Sequence, residues 1–409
     1  MIEKLGKYYN VISGFAFKSS DLKDNADIPI IKIGNISNGK NVIIENMQYV
    51  DHEFLNINEK YHIKNGDVLI SLTGSHINQP NSMVGRVCRN YDKQTYLLNQ
   101  RAGKIIAKEN ASTDYMFYAL LTKAMKESIV SRAYGAANQV NVSPAAIMGI
   151  KWNFPTLPIQ KKIASILSAY DCLIENNTRR IRLLEQMAEN LYKEWFVRFR
   201  FPEHEKVEMV NGLPKGWKIK RIADFGRIET GKTPPMSNRK LYGGDILFVK
   251  TPDMHDKMFI SSTSETLSED GNNYQLTKLL PANSIMVSCI GTAGIVSINA
   301  KPAHTNQQIN SIILNNLEDL EWLYYVCKQM KPTIELFGAT GATMTNLSKG
   351  KFEKLKVVVP KANIRESFHK RIRPYFKEIF TLDQQNTLLT RQRDLLLPRL
   401  MSGKLEVKS

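Results

Sequence analysis

"LPIQKKIASILSAYDCLIENNTRRIRLLEQMAENLYKEWF" occupies residues 157–196, with no glycine and no proline after Pro158. Its apolar positions Ile163, Ile166, Tyr170 and Leu173, then Ile181, Leu184, Ala188 and Leu191, step by three and four, with Asn177 on the same stripe. That period predicts a helix with one apolar face, running to about residue 199. A second run follows Pro360. Phe368, Ile372, Tyr375, Ile379, Leu382, Asn386, Leu389, Arg393 and Leu396 alternate by four and three without a break, the seam of a coiled coil. Pro374 inside it is expected to kink or loosen the early part of that helix. Forty residues of helix span ~60 Å at about 1.5 Å per residue. Two such stripes in one chain are buried most simply against each other. An antiparallel pairing brings Asn177 and Asn386 to similar depth, where buried amides fix register; the other reading has both facing solvent.

Outward from the helices, the chain is written twice. "KLGKYYNVISG" (4–14) resembles "RIADFGRIETG" (221–231), and "NGDVLISLTG" (65–74) resembles "ANSIMVSCIG" (282–291), both at an offset of 217. "LLNQ" (97–100) matches "HTNQ" (304–307) at 207, and "NVSPAAIMGIKWNFP" (141–155) parallels "NLSKGKFEKLKVVVP" (346–360) at 205. "DIPIIKIGNI", "GDVLISLTG", "AGKIIA", "GDILFVK", "NSIMVSCIG" and "QINSIIL" read as short strands, and 114–130 and 317–330 as amphipathic helices. The expected fold class is α+β: two similar α/β domains separated by two long helices that form an antiparallel coiled coil, with an internal pseudo-twofold repeat. The expected boundaries are 1–157 for the first domain, 158–200 for the first spacer helix, 201–361 for a linker and the second domain, and 362–409 for the second spacer helix and tail.

The net charge of +17 and pI of about 9.5 favour polyanions, above all nucleic acid, although a generally basic surface has the same composition. No apolar run is long enough to span a bilayer, and "MIEKLGKYYN" lacks the apolar core of a secretory signal, so a cytoplasmic chain is expected. Cys88, Cys172, Cys289 and Cys327 stand far apart and read as buried free thiols rather than a zinc site.

"GRIETGKT" (226–233) satisfies the phosphate-loop pattern and would make the chain an ATP-dependent enzyme. Its context argues against it. "KIKRIADF" before it is not a buried parallel strand, and Pro234-Pro235 after it is poor material for a helix start. Gly231 also repeats Gly14, where "GFAF" has neither lysine nor threonine. Serine-hydrolase, zinc-protease, dinucleotide-binding and adenine-methyltransferase motifs are absent, and the seven histidines form no ligand cluster. The remaining alternative of another class is a coiled-coil adaptor that binds no DNA.

The helical region 157–196, "VRFRFP" and "GLPKGW" after it, "ETGKTPP" with "YGGDILFVK", "TNQQ", their first-half counterparts "GFAFKSSD", "IPIIKIGNI" and "LLNQ", and the ending "RDLLLPRLMSGKL" resemble the specificity subunit of a type I restriction-modification system. "KANIRESFHK" departs from that family's pattern at the start of the second helical region. The resemblance implies two target recognition domains on a bipartite, asymmetric site in double-stranded DNA. It also implies two methylating subunits that carry S-adenosylmethionine and two motor-nuclease subunits that use ATP and magnesium, with no cofactor, metal or catalytic residue in this chain. A prokaryotic, nucleoid-associated location follows.

Base-edge readout needs amides, hydroxyls and cations carried on loops. Ser75, His76, Asn78 and Gln79, with Asn138, Gln139 and Asn141, are the candidates in the first domain. Lys250, Thr251, His255, Thr343 and Thr345 are those in the second. Lys18, Lys32, Arg86, Lys232 and Arg239 are candidates for phosphate contact. Asn99-Gln100 and Asn306-Gln307 recur in both copies and suit a structural or phosphate-positioning role. The aromatics of "WFVRFRF", with Trp195, Phe196 and Phe199, exceed what a helix pair needs and suit contact with a methylating subunit or the adjoining domain.

Overall fold

The computed structural model describes residues 2–75, 82–136, 139–338 and 346–407. Two compact units emerge: Met1–Ile174 with Leu388–Ser409, and Glu175–Thr387. Each long helix contributes residues to both.

In the first unit a four-stranded antiparallel sheet has the order Tyr9–Ser13, Ala102–Ala107, Val68–Ser71, Val87–Arg89. A second four-stranded sheet has the order Gln48–Val50, Ile28–Ile31, Tyr96–Leu98, His62–Ile63, with its two central strands parallel. Val68–Ser71 is buried throughout, and the two-residue period of a strand explains how. Val68 and Ile70 enter the core with Tyr115, Phe117 and Leu167, while Leu69 enters the core shared with Ile31 and Leu98.

The second unit repeats this plan. Its larger sheet has the order Gly226–Thr230, Ile309–Leu314, Ile285–Ser288, Val296–Asn299, extended by Phe259–Ile260. Its second sheet is Glu265–Leu267, Tyr242–Val249, Ala303–Thr305, again with one parallel pair. Ile285 and Val287 face one core and Met286 the other, as Val68, Ile70 and Leu69 do. Val68–Ser71 and Ile285–Ser288 stand 217 positions apart, and Ala102–Ala107 and Ile309–Leu314 stand 207 apart, the offsets read from the sequence.

The first long helix is Leu157–Tyr192, followed by a π-helical turn at Lys193–Val197, so it closes earlier than residue 199. The second is Ala362–Met401 and runs through Pro374 without a break in the helix. In the first unit Ile163, Ala164 and Leu167 share a core with Leu400 and Met401. In the second, Ala188 and Tyr192 pack with Phe368, Ile372 and Phe376, and Arg180 bridges to Glu378 at 2.6 Å. Low numbers on one helix meet high numbers on the other, which is the antiparallel arrangement. Asn177 is buried and its Nδ2 donates to Gln385 Oε1 at 3.3 Å, while Asn386 Nδ2 donates to Thr178 Oγ1 at 3.3 Å. The two amides therefore form a polar layer in the seam rather than facing water.

Three local expectations are corrected. Leu173, placed on the apolar stripe, is exposed. Residues 114–130 form two helices, Thr113–Leu121 and Lys123–Val130. Thr122 between them turns out of helical geometry, and its Oγ1 accepts from Met125 N to cap the second. Cys88, Cys289 and Cys327 are buried free thiols, but Cys172 on the first long helix is exposed. No helix among the described residues is long and apolar enough to cross a membrane.

Candidate nucleic-acid interface

The phosphate-loop letters "GRIET" are a strand, Gly226–Thr230, paired antiparallel with Ile309–Leu314 over its whole length. The residues directly after Thr233, up to Asn238, are not helical. Gly231 is required by contact instead: a Cβ there would lie 2.2 Å from Thr305 O and 2.3 Å from Asn306 O. Gly14 meets Leu98 O and Asn99 O in the same way, at 2.2 and 2.4 Å. The recurrent Asn-Gln pairs form the turn against which these glycines pack. Asn99 N donates to Ile31 O and Asn306 N to Val249 O, each at 3.0 Å, continuing the parallel strand pair of the second sheet in each unit.

In the first unit the strands Tyr134–Ala136, Gln139–Asn141 and Thr73–Gly74 form a small sheet. Two segments far apart in sequence, both singled out for their amides and hydroxyls, are thereby joined. Asn141 pairs with Thr73 and accepts from its Oγ1 at 2.7 Å; Gln139 is exposed, and Ser75 accepts from Ser82 Oγ. Arg86 is half-buried, with Nε donating to Ser82 O at 3.1 Å. His76, Asn78, Gln79 and Asn138 lie outside the described residues, as do Thr343 and Thr345. Their neighbour Asn346 bridges Ile290, and these positions repeat Asn141 and Thr73 at offsets of 205 and 217. The second unit thus carries the same juncture.

Lys32 and Lys250 prove to be equivalent. Each follows the strand parallel to the Asn-Gln segment, and each caps a short helical turn, Lys32 N donating to Asn35 Oδ1 at 3.0 Å and Lys250 N to Asp253 Oδ2 at 2.9 Å. Their ammonium groups are engaged inside their own unit. Lys32 Nζ donates to Gln48 Oε1, and burial holds its pKa below the usual lysine range; Lys250 Nζ meets Glu265 Oε2 at 2.6 Å. Thr251 is buried and donates to Gln308 Oε1 at 3.3 Å, so it offers nothing to a groove. Lys18, Lys232, Arg239 and His255 are exposed. Lys232 Nζ stands 4.6 Å over the ring of Tyr274, and beside it Thr233 Oγ1 donates to Gln307 Oε1 at 2.5 Å. Tyr274, half-exposed, was not evident from the sequence, because nothing local links it to Lys232.

The "WFVRFRF" aromatics are used internally. Trp195 and Phe196 are 3% and 8% exposed and surround Phe368 at ring separations of 5.6 and 4.8 Å, so neither presents a face to a partner. Phe199, half-buried, stacks edge-on against Trp217 at 5.3 Å. The first unit's equivalents of Trp195 and Phe196 are Leu400 and Met401, and both are buried too.

The model of the type I restriction modification DNA specificity domain matches residues 2–186 and again 214–391. The chain belongs to the type I restriction-modification specificity family. The HindI specificity subunit of Haemophilus influenzae is 34% identical over 357 residues, 71% of this chain and 77% of the relative. The MjaIX specificity subunit of Methanocaldococcus jannaschii is 26% identical over 409 residues, 97% of this chain and 91% of the relative. The crystal structure of the S subunit of a type I restriction-modification system from M. genitalium superposes with a TM-score of 0.63 at 15% identity, covering 98% of this chain and 96% of that one, and shares the fold. The chain is accordingly a DNA-recognition subunit that works with partner subunits and performs no catalysis itself. Among the described residues no group of three or more His, Cys, Asp or Glu is placed to hold a metal ion.

Proposed function

We propose that this specificity subunit reads a bipartite, asymmetric site in double-stranded DNA, one half-site per recognition domain, with the long helices setting the gap. The observation that carries this reading is two units of one strand order whose equivalent positions differ: exposed Lys232 in the second unit stands where the first has half-buried Phe15, packed on Phe17. One scaffold with two sets of side chains suits two different half-sites. Lys18, Arg86, Lys232 and Arg239 supply phosphate contacts, which position without specifying. Ser75, Gln139 and His255, with His76, Asn78, Gln79, Asn138, Thr343 and Thr345, read base edges. Each domain works with one of two methylating subunits, whose bound S-adenosylmethionine acts on an adenine flipped from the duplex. Two motor-nuclease subunits then join, using ATP and magnesium, in the cytoplasm at the nucleoid. The helix Leu157–Tyr192 has 36 residues, ~54 Å at about 1.5 Å per residue, which exceeds one turn of B-DNA at about 34–36 Å.

The test is methylome sequencing of a host carrying the system, before and after the first domain is exchanged for that of a relative. One half of the recognised motif should change and the other half should persist. A change in both halves, or in neither, would refute the assignment of one half-site to each domain.

A further inference from the structure

In the first unit, two polar side chains from two helices meet on a carboxylate carried by a third. Tyr118, on Thr113–Leu121 of the recognition domain, is buried and donates its hydroxyl to Asp171 Oδ2 at 2.5 Å. Asp171 lies on the first long helix, and its Oδ1 accepts from Arg393 Nη1 on the second at 2.6 Å. Burial, and then the bond to Asp171, hold the Tyr118 hydroxyl far above the usual tyrosine range, so it remains a donor. The joint also explains why an arginine occupies the coiled-coil seam.

The internal repeat supplies a comparison within the same chain. At the offset of 207 for the domain helix, Tyr118 becomes Tyr325; at 205 for the long helices, Asp171 becomes Phe376 and Arg393 becomes Ala188. The second unit therefore has apolar packing at the same three positions: the Tyr325 and Phe376 rings are 5.9 Å apart and Ala188 is fully buried with them. Apolar burial is non-directional and tolerates small rotations of one element on another. Charge-assisted hydrogen bonds to both oxygens of one carboxylate are short and directional, and do not. The second domain's helix is tied to the long helices at other positions, by Lys328–Glu189 at 2.8 Å and His369–Glu321 at 2.6 Å, so a joint of both long helices on one carboxylate at this place belongs to the first domain.

We propose that Asp171 is a positioning residue that holds the first recognition domain at a fixed angle on the two long helices, and so restricts the spacer length the subunit accepts. The inference rests on the bipartite reading above. Its test uses the assembled methylating complex and a set of duplexes with constant half-sites and spacers differing by single base pairs. Asp171→Asn and Tyr118→Phe should each methylate a spacer one base pair from the native length at least about tenfold better than the parent does, with half-site sequences unchanged. Arg180→Gln, which removes the Arg180–Glu378 bridge, should leave spacer choice as it is. Tyr118→Phe loses one hydroxyl only, and so decides the matter if the aspartate variant does not fold. Parental spacer discrimination in the phenylalanine variant, or an equal loss on every spacer alongside a lower melting temperature, overturns the proposal. A parent complex indifferent to spacer length overturns the bipartite reading itself, which is a separate outcome.

Discussion

Replacing Gly231 by alanine separates a nucleotide-binding loop from a packed turn. The added methyl would sit 2.2 Å from both Thr305 O and Thr305 Oγ1 and 2.3 Å from Asn306 O, about 1 Å inside contact distance. The obstacle is backbone, which a rotamer change cannot clear. The turn is pinned by Lys232 N to Thr305 O at 2.9 Å, Gly231 N to Ile309 O at 3.2 Å and Asn306 N to Val249 O at 3.0 Å. Relief by an ångström breaks two of these bonds at about 1 kcal/mol each, on top of overpacking that costs about 1–3 kcal/mol. The expected loss is about 3–5 kcal/mol, a fall in melting temperature of about 6–20 °C for a domain of this size. Scanning calorimetry of the subunit in its complex measures it. Gly14→Ala should do the same to the first unit, and each variant should impair recognition of its own half-site first. Lys232→Ala, on an exposed side chain, should shift stability by no more than about 0.5 kcal/mol. Melting of Gly231→Ala within about 1 °C of the parent would refute the argument.

Lys232→Ala should make the fall of DNA affinity with salt shallower by about 0.9 in log–log slope, one counterion fewer, as read by fluorescence anisotropy over a salt series. His304 is buried with Nε2 2.9 Å from Asn272 Oδ1, and burial lowers its pKa from 6.5 to about 4. Between those values the unfolded chain binds the proton and the folded chain does not. The neutral imidazole's contribution is therefore complete above about pH 6.5 and fades as pH falls towards 4, amounting to at most about 3 kcal/mol. His304→Leu should flatten that part of the stability–pH curve measured by denaturant unfolding. Phe368→Ala should cost about 3–5 kcal/mol in the same assay, because the fully buried ring contacts Tyr192, Trp195 and Phe196.

The repeat was legible because it is carried by backbone-determining letters. Ser71 and Ser288, Gly14 and Gly231, and the Asn-Gln pairs recur where strands must turn or cross, and the same offsets reappear in the sheets. The candidate site was legible only in part. Lys32, Lys250 and Thr251 have the right chemistry in loop-like strings, but Gln48, Glu265 and Gln308, each on another segment of the same unit, engage them. Trp195 and Phe196 look like a surplus until Phe368, on the other long helix, is seen to take them up.

By itself the sequence determined the duplicated α+β plan, the antiparallel use of the two helices and the rejection of the phosphate loop. These follow from periodicity and local geometry, which act between near neighbours and are repeated along the chain. Only the tertiary structure decided which charges are already paired, which aromatics are core, and that one carboxylate, Asp171, ties Tyr118 to Arg393. Such partners are set by side chains that converge from separations as different as 15 residues for Lys250–Glu265, 53 for Tyr118–Asp171 and 222 for Asp171–Arg393, and a linear pattern holds no record of that convergence.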